Sequence, residues 1–231
     1  NRVSFVMGWA YWVCWLALAM AEVTAIGLYF QLWFPQVPQW LPGLVTLLIL
    51  LGLNLMTVST FGELEFWFAL IKILAIVILI AVGVILVLLH FHSASGYLAT
   101  PANLVNDGGF FATGTKGFML SFQMVVFAFV GIEMVGVTAA EAENPKVVIP
   151  KAINGIPVRI MLFYIGALAV IMCIYPWSKL SPSNSPFVLV FRDIGLPGAA
   201  SIVNFVVITA AASACNSSLY TTGRMLAELT S

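Results

Sequence analysis

The stretch "EFWFALIKILAIVILIAVGVILVLL", Glu65–Leu89, decides how the rest of the chain is read. Past its first residue it is apolar throughout, except for Lys72. A run of about 20 apolar residues crosses the ~30 Å hydrocarbon core of a bilayer as a helix. An ammonium group inside such a run asks for a reason, because ionisable groups in lipid are costly and face a cavity or a partner.

The remainder of the chain shares that character. Its 231 residues are 62% hydrophobic and only 8% charged, with a mean hydropathy of +1.07. Soluble domains carry about a quarter of their residues as charges, so the chain reads as an all-α integral membrane protein. The alternating ten-residue segments of a transmembrane barrel are not seen. A formal net charge of zero provides no basic patch for nucleic acid. Cys14, Cys173 and Cys215 all lie in apolar runs and read as small packing residues, implying neither a disulfide framework nor a metal site. No Walker loop, dinucleotide fingerprint, His/Cys metal spacing or nucleophile–His–acid set occurs, so neither an enzyme nor a cofactor is expected. His90 and His92 fall at the end of the third apolar run, at the interface. The chain opens on "NRVSFVMGWA" without Met and stops after "GRMLAELTS", and both ends read as cuts in something longer.

Hydropathy divides the chain into six spans, about 5–34, 41–60, 66–89, 117–140, 158–177 and 198–226. Between them lie "PQVPQWLPG", the short link "FGELE", a polar segment from His90 to Lys116, the three-proline linker "EAENPKVVIPKAINGIP" and a loop beginning "SKLSPSNSPF". Arg2, Lys146, Lys151, Arg159 and Arg224 fall on one side, and Lys116, Lys179 and Arg192 on the other. Basic residues in short loops stay cytoplasmic, so the linker between the fourth and fifth spans is expected inside and the first span runs outward.

Three ionisable groups interrupt the spans: Glu22, Lys72 and Glu133. Lys72 lies about six residues, or ~9 Å, into its span. A lysine stem nearly reaches the interface from there, so snorkelling is one reading. The other is a buried amine whose charged form is penalised by desolvation, so that it gains and loses a proton. Glu133 lies in "FAFVGIEMVG", where Gly131 and Gly136 are five apart rather than at the four-residue spacing of close helix crossings. Either the helix breaks there and offers backbone groups to a ligand, or the glycine packs and the carboxylate hydrogen-bonds a neighbour. Glu22, in "LAMAEVTAIG", reads as a carboxylate hydrogen-bonded within the bundle and is a further candidate for the site. In the last span Thr209, Ser213, Asn216, Ser217, Tyr220 and Arg224 recur at helical spacing as one polar stripe. Each alone could be helix–helix glue. Together they read as the lining of a wet cavity.

Four segments carry a family resemblance: "FGELEFWFALIKILAIV", "FQMVVFAFVGIEMVGVTAAEAENP", "IPKAINGIPVRI" and "SACNSSLYTTGRML". They resemble the bacterial amino acid permeases of the amino acid–polyamine–organocation superfamily, and the likeness extends over essentially the whole chain. "HFHSASG", "NDGGFF" and "IVNFVVITAAAS" are similar to the D-serine/D-alanine/glycine transporter subgroup. The resemblance implies twelve helices in the leucine-transporter-type inverted-repeat fold, with the six spans here as its third through eighth. It makes the fourth span a discontinuous helix that helps bind the substrate through Phe127, Ala128, Phe129, Val130 and Gly131. It matches Glu133 to a glutamate beyond the break, linked to gating or proton sensing. It matches Lys72 to a lysine that stands where sodium-coupled relatives hold an ion, with Ser213, Asn216 and Ser217 as neighbours. The family's first helix, with its glycine-rich carboxylate-binding break, has no counterpart here, so a whole substrate site is not expected within this chain.

The function so implied is import of small neutral amino acids across the bacterial cell membrane by proton symport and alternating access. The partners are an amino acid of the D-serine, D-alanine, L-alanine and glycine class, protons and the lipid bilayer. The alternatives are a proton-independent exchanger or sensor, a permease for other amino acids such as aromatic ones or GABA, and a non-transporting bundle subunit.

Overall fold

The computed structural model describes residues 2–55, 58–109, 111–132, 144–180 and 185–230. Helices α1 (Arg2–Phe30), α2 (Trp40–Asn54) and α3 (Val58–Leu88) come first. A single turn α4 (Asn103–Asn106) and α5 (Gly114–Ala128) follow. Next, α6 (Pro145–Arg159), a π-helical segment (Ile160–Gly166) and α7 (Ala167–Ile174) run on without interruption. Helices α8 (Pro186–Asp193) and α9 (Pro197–Thr230) complete the order. Among the described residues the extended structure is one isolated bridge, His92 with Leu98. Among the described residues, four stretches are long and apolar enough to cross a bilayer: Val3–Phe30, Phe66–Leu88, Pro145–Ile174 and Gly198–Ala227. The apolar α2 is shorter.

The chain divides into two units, residues 1–75 with 181–231, and residues 76–180. In the first, α1 and α9 lie against each other along their lengths. Trp12 Nε1 donates to the Thr222 carbonyl at 3.0 Å, Cys215 Sγ to Ala19 O at 3.9 Å, and Asn204 Nδ2 to Tyr29 O at 3.0 Å. One chain position rises as the other falls, so the pair is antiparallel. The seam follows from spacing. Trp15, Ala19 and Ile26 are buried on α1, and Asn204, Ala211, Cys215, Ser218 and Thr222 on α9. Both sets recur at steps of three, four or seven, which is one face of a helix. The α9 face is built from small side chains, which lets two backbones approach closely. Leu50 of α2 closes a core with Ala19 and Cys215. The α1–α2 turn leaves no room at Gly27, where a Cβ would run into the Gln39 carbonyl.

In the second unit α3 and α7 cross closely, because a Cβ on Gly83 would collide with Val170. The segment after α3 is tied to the end of α7. The Cys173 carbonyl, in the last turn of that helix, has no intrahelical partner. It accepts from the Thr100 N–H and from Asn103 Nδ2, each at 2.8 Å. Trp177 Nε1 donates to Asp107 O at 2.9 Å, and the Ser178 hydroxyl bonds the Asp107 carboxylate.

Several expected boundaries move. The link "FGELE" is helical backbone inside α3, and the second span ends at Asn54 rather than near residue 60. There the Asn54 side-chain amide turns back onto the Leu50 carbonyl of its own helix at 2.8 Å. The three-proline linker is helical from Pro145. Pro145 occupies the first turn, where its missing N–H costs nothing, while Pro150 and Pro157 lie inside. The fifth span therefore begins 13 residues early, at Pro145 rather than Val158, and closes at Ile174. Of the fourth span, expected over 117–140, the described residues are helical to Ala128 and turn over 129–132; residues 133–143 lie outside the described residues.

Candidate functional site

Each unit carries one group of the expected site residues. In the first unit they are side chains on three helices. Lys72 of α3 donates through Nζ to Ser213 Oγ of α9 at 2.7 Å. Ser213 is 1% exposed and Asn216 5%, so both belong to the protein interior. The Glu22 carboxylate of α1 acts electrostatically on Lys72 and on Cys215. A half-buried cation therefore has a hydroxyl oxygen in hydrogen-bond range and a carboxylate within electrostatic reach. The lysine head lies against α9, which is the inward reading of its position in the sequence.

The remainder of the α9 stripe divides. Ser217 Oγ donates to Ser213 O at 3.1 Å and Thr209 Oγ1 to Val206 O at 2.8 Å, so both hydroxyls reach their own helix. Arg224 donates to the Tyr220 hydroxyl at 3.0 Å, with its guanidinium 5.5 Å from the centre of that ring. Asn216 is met by a residue that sequence reasoning passed over. Asn54 Nδ2 donates to Asn216 Oδ1 at 2.7 Å, joining the end of α2 to the stripe. An amide closing an otherwise apolar helix was the available signal.

In the second unit the group is backbone. Helix α5 is 15 residues long. At 1.5 Å per residue that is ~22 Å, short of a bilayer core. Its last turn tightens. Phe129 N–H bonds the Val125 and Val126 carbonyls at 3.2 Å, and Val130 N–H bonds Phe127 O at 3.2 Å. Gly131 then adopts φ +102°, a conformation that side-chain-bearing residues rarely tolerate. The backbone thus leaves the α-helix at Phe129–Gly131, among the residues singled out for substrate. Phe127 is exposed, and Phe129, Val130 and Gly131 are half-buried. Glu133 lies outside the described residues. Tyr164, a second residue unnoticed in the sequence, meets the break. Its hydroxyl donates to Ala128 O at 3.1 Å, and its ring stacks on Phe129 at 5.1 Å and 19°. Among the described residues no group of His, Cys, Asp or Glu is arranged to hold a metal ion.

Comparison with known proteins places the chain in a family. The family model described as amino acid permease matches residues 1–231. The chain is 62% identical over 229 residues to the amino-acid permease AapA of Bacillus subtilis (strain 168), covering 99% of this chain and 49% of that protein. It is 61% identical over 229 residues to the uncharacterized transporter YdgF of the same organism, covering 99% and 50%. It is 54% identical over 223 residues to the D-serine/D-alanine/glycine transporter of Escherichia coli (strain K12), covering 96% and 47%. The chain spans about half the length of the curated relatives it matches.

Proposed function

Because this chain belongs to the amino acid permease family, and so to the multi-pass proteins of the bacterial plasma membrane, we propose that it forms part of a proton-coupled importer of small neutral amino acids. The substrates are of the D-serine, D-alanine, L-alanine and glycine class, and the cycle is one of alternating access. The substrate class is supported by the 54% identity to a protein named for D-serine, D-alanine and glycine. The proton coupling rests on one observation, the 2.7 Å bond from Lys72 Nζ to Ser213 Oγ. Protonated Lys72 fastens α3 to α9, and loss of the proton leaves an amine with weaker reason to stay. Glu22 tunes that exchange through its charge. The break at Phe129–Gly131 presents backbone groups to the substrate, in the way discontinuous helices serve transporters. Phe127 through Gly131 border the substrate in this reading, and Asn216, Ser217 and Glu133 attend the gating step.

Labelled uptake by the full-length protein in proteoliposomes tests this. D- and L-alanine, D- and L-serine and glycine are supplied with and without an inward proton gradient. Accumulation above equilibrium only with the gradient is expected. The variant Lys72→Arg should still bind substrate yet lose gradient-driven accumulation. Normal accumulation with unchanged pH dependence in that variant would remove Lys72 from the coupling. Equal uptake with and without the gradient would make the protein an exchanger or sensor instead.

A further inference from the structure

We propose that Tyr164, on the π-helical segment Ile160–Gly166, is a positioning residue that holds the broken end of α5 in its substrate-binding arrangement. The proposal rests on the reading of that break as part of the substrate site.

The last carbonyls of a helix lack intrahelical donors and must find partners elsewhere. At the end of α5 the Val125, Val126 and Phe127 carbonyls accept from backbone N–H groups one turn on. The Ala128 carbonyl is held instead by a side chain of another element, the Tyr164 hydroxyl at 3.1 Å. One residue further, the Phe129 ring lies parallel to the Tyr164 ring. Tyr164 thus grips two consecutive residues at the point where α5 stops, one through its backbone and one through its side chain.

What aims the tyrosine is the widened helix. Pro157 has no N–H for the carbonyl four residues back, so the α-helical ladder is already interrupted before Ile160. From Ile160 to Gly166 the backbone takes the π pattern. The wider turn closes at Gly166, where a Cβ would stand 3.6 Å from Met161 O and 3.6 Å from Ile80 Cδ1. One extra residue in a helix rotates the following side chains by about 100° relative to the uninterrupted α-helix, since 3.6 residues make a turn. Single π turns of this kind are uncommon and gather at functional sites. Return of the segment to α-helical register would swing Tyr164 off the Ala128 carbonyl and leave the end of α5 unheld. The π segment therefore sets the direction in which Tyr164 points.

The test uses the full-length protein and the variant Tyr164→Phe, which keeps the ring and removes only the hydroxyl. Hydrogen–deuterium exchange is read over residues 129–132, and uptake kinetics are read for whichever of the five amino acids the wild type carries. Expected are faster exchange in the variant and a KM raised roughly three- to tenfold at unchanged Vmax, the effect of one hydrogen bond. Unchanged exchange overturns the hold. Faster exchange with unchanged KM reduces Tyr164 to a structural residue and overturns its positioning role. If Tyr164→Phe does not reconstitute, Phe129→Leu removes the stack and leaves the hydroxyl. It should raise KM in the same direction, and a wild-type KM there overturns the proposal. A wild type that carries none of the five amino acids, while its Tyr164→Phe variant still loosens residues 129–132, sinks the substrate reading and leaves the hold standing.

Discussion

Helices α9 and α5 depart from a lipid-like pattern by opposite means. Helix α9 is continuous from Pro197 to Thr230 and carries its polarity in side chains, several of them buried. Helix α5 bears few polar side chains and ends after 15 residues, where the backbone leaves α-helical geometry. A continuous helix keeps every backbone group paired and can offer only what its side chains bring. A broken one offers N–H and C=O groups at the depth where lipid provides no partner. The first kind suits a site where a proton moves between side chains. The second suits a ligand that brings its own charges.

That contrast can be attacked from either helix. The largest effect is expected at Gly131→Val. Its φ of +102° is hostile to a branched side chain, and such strain costs of order 1–3 kcal/mol. Uptake should fall by tenfold or more while protein in the membrane stays near wild type. Wild-type uptake would mean that the break is not shaped by this glycine. A smaller effect follows at Asn54→Leu, which strips Asn216 of its 2.7 Å partner. Bonds between membrane helices average well under 2 kcal/mol, so a loss of about 1 kcal/mol in unfolding measurements is expected. An unaltered unfolding midpoint would show that Asn216 finds another partner. The smallest belongs to Thr209→Val. Its hydroxyl serves the Val206 carbonyl of its own helix, and a near-isosteric swap should stay within about 0.5 kcal/mol, with uptake unchanged. A large loss of uptake there would return Thr209 to a wet cavity and restore the full stripe.

Much of this architecture is legible in the order of the residues. Apolar runs long enough to span lipid announce α1, α3 and α9, because hydropathy and length alone decide that question. The 2.7 Å bond from Lys72 to Ser213 follows what the resemblance implied, while helical spacing by itself marked only the polar stripe on α9. Boundaries are less so. Three prolines make 141–157 look like a loop, although a proline in a first turn costs little and later ones are absorbed by a helix that continues through them. Asn54 escapes because its partner lies 162 residues away: an amide closing an apolar helix is visible locally, but nothing local names what it bonds. Tyr164 escapes for a different reason. Reading helices at 3.6 residues per turn assigns every side chain a direction, and the π segment changes that direction without any signature in composition.

The segment between α3 and α5 has a practical side. Its polar, glycine-containing composition invites protease digestion or tag insertion, yet most of it is fastened. Thr100 and Asn103 bind the Cys173 carbonyl, and Trp177 and Ser178 bind Asp107. One accessible stretch is the hairpin tip, where Ser93 N–H pairs with Tyr97 O at 2.8 Å and Ala94, Ser95 and Gly96 are exposed. An epitope inserted between Ser95 and Gly96 lengthens a turn whose two ends are already bonded to each other. An antibody to it, applied to intact cells and to inverted vesicles, reports which side of the membrane that tip faces.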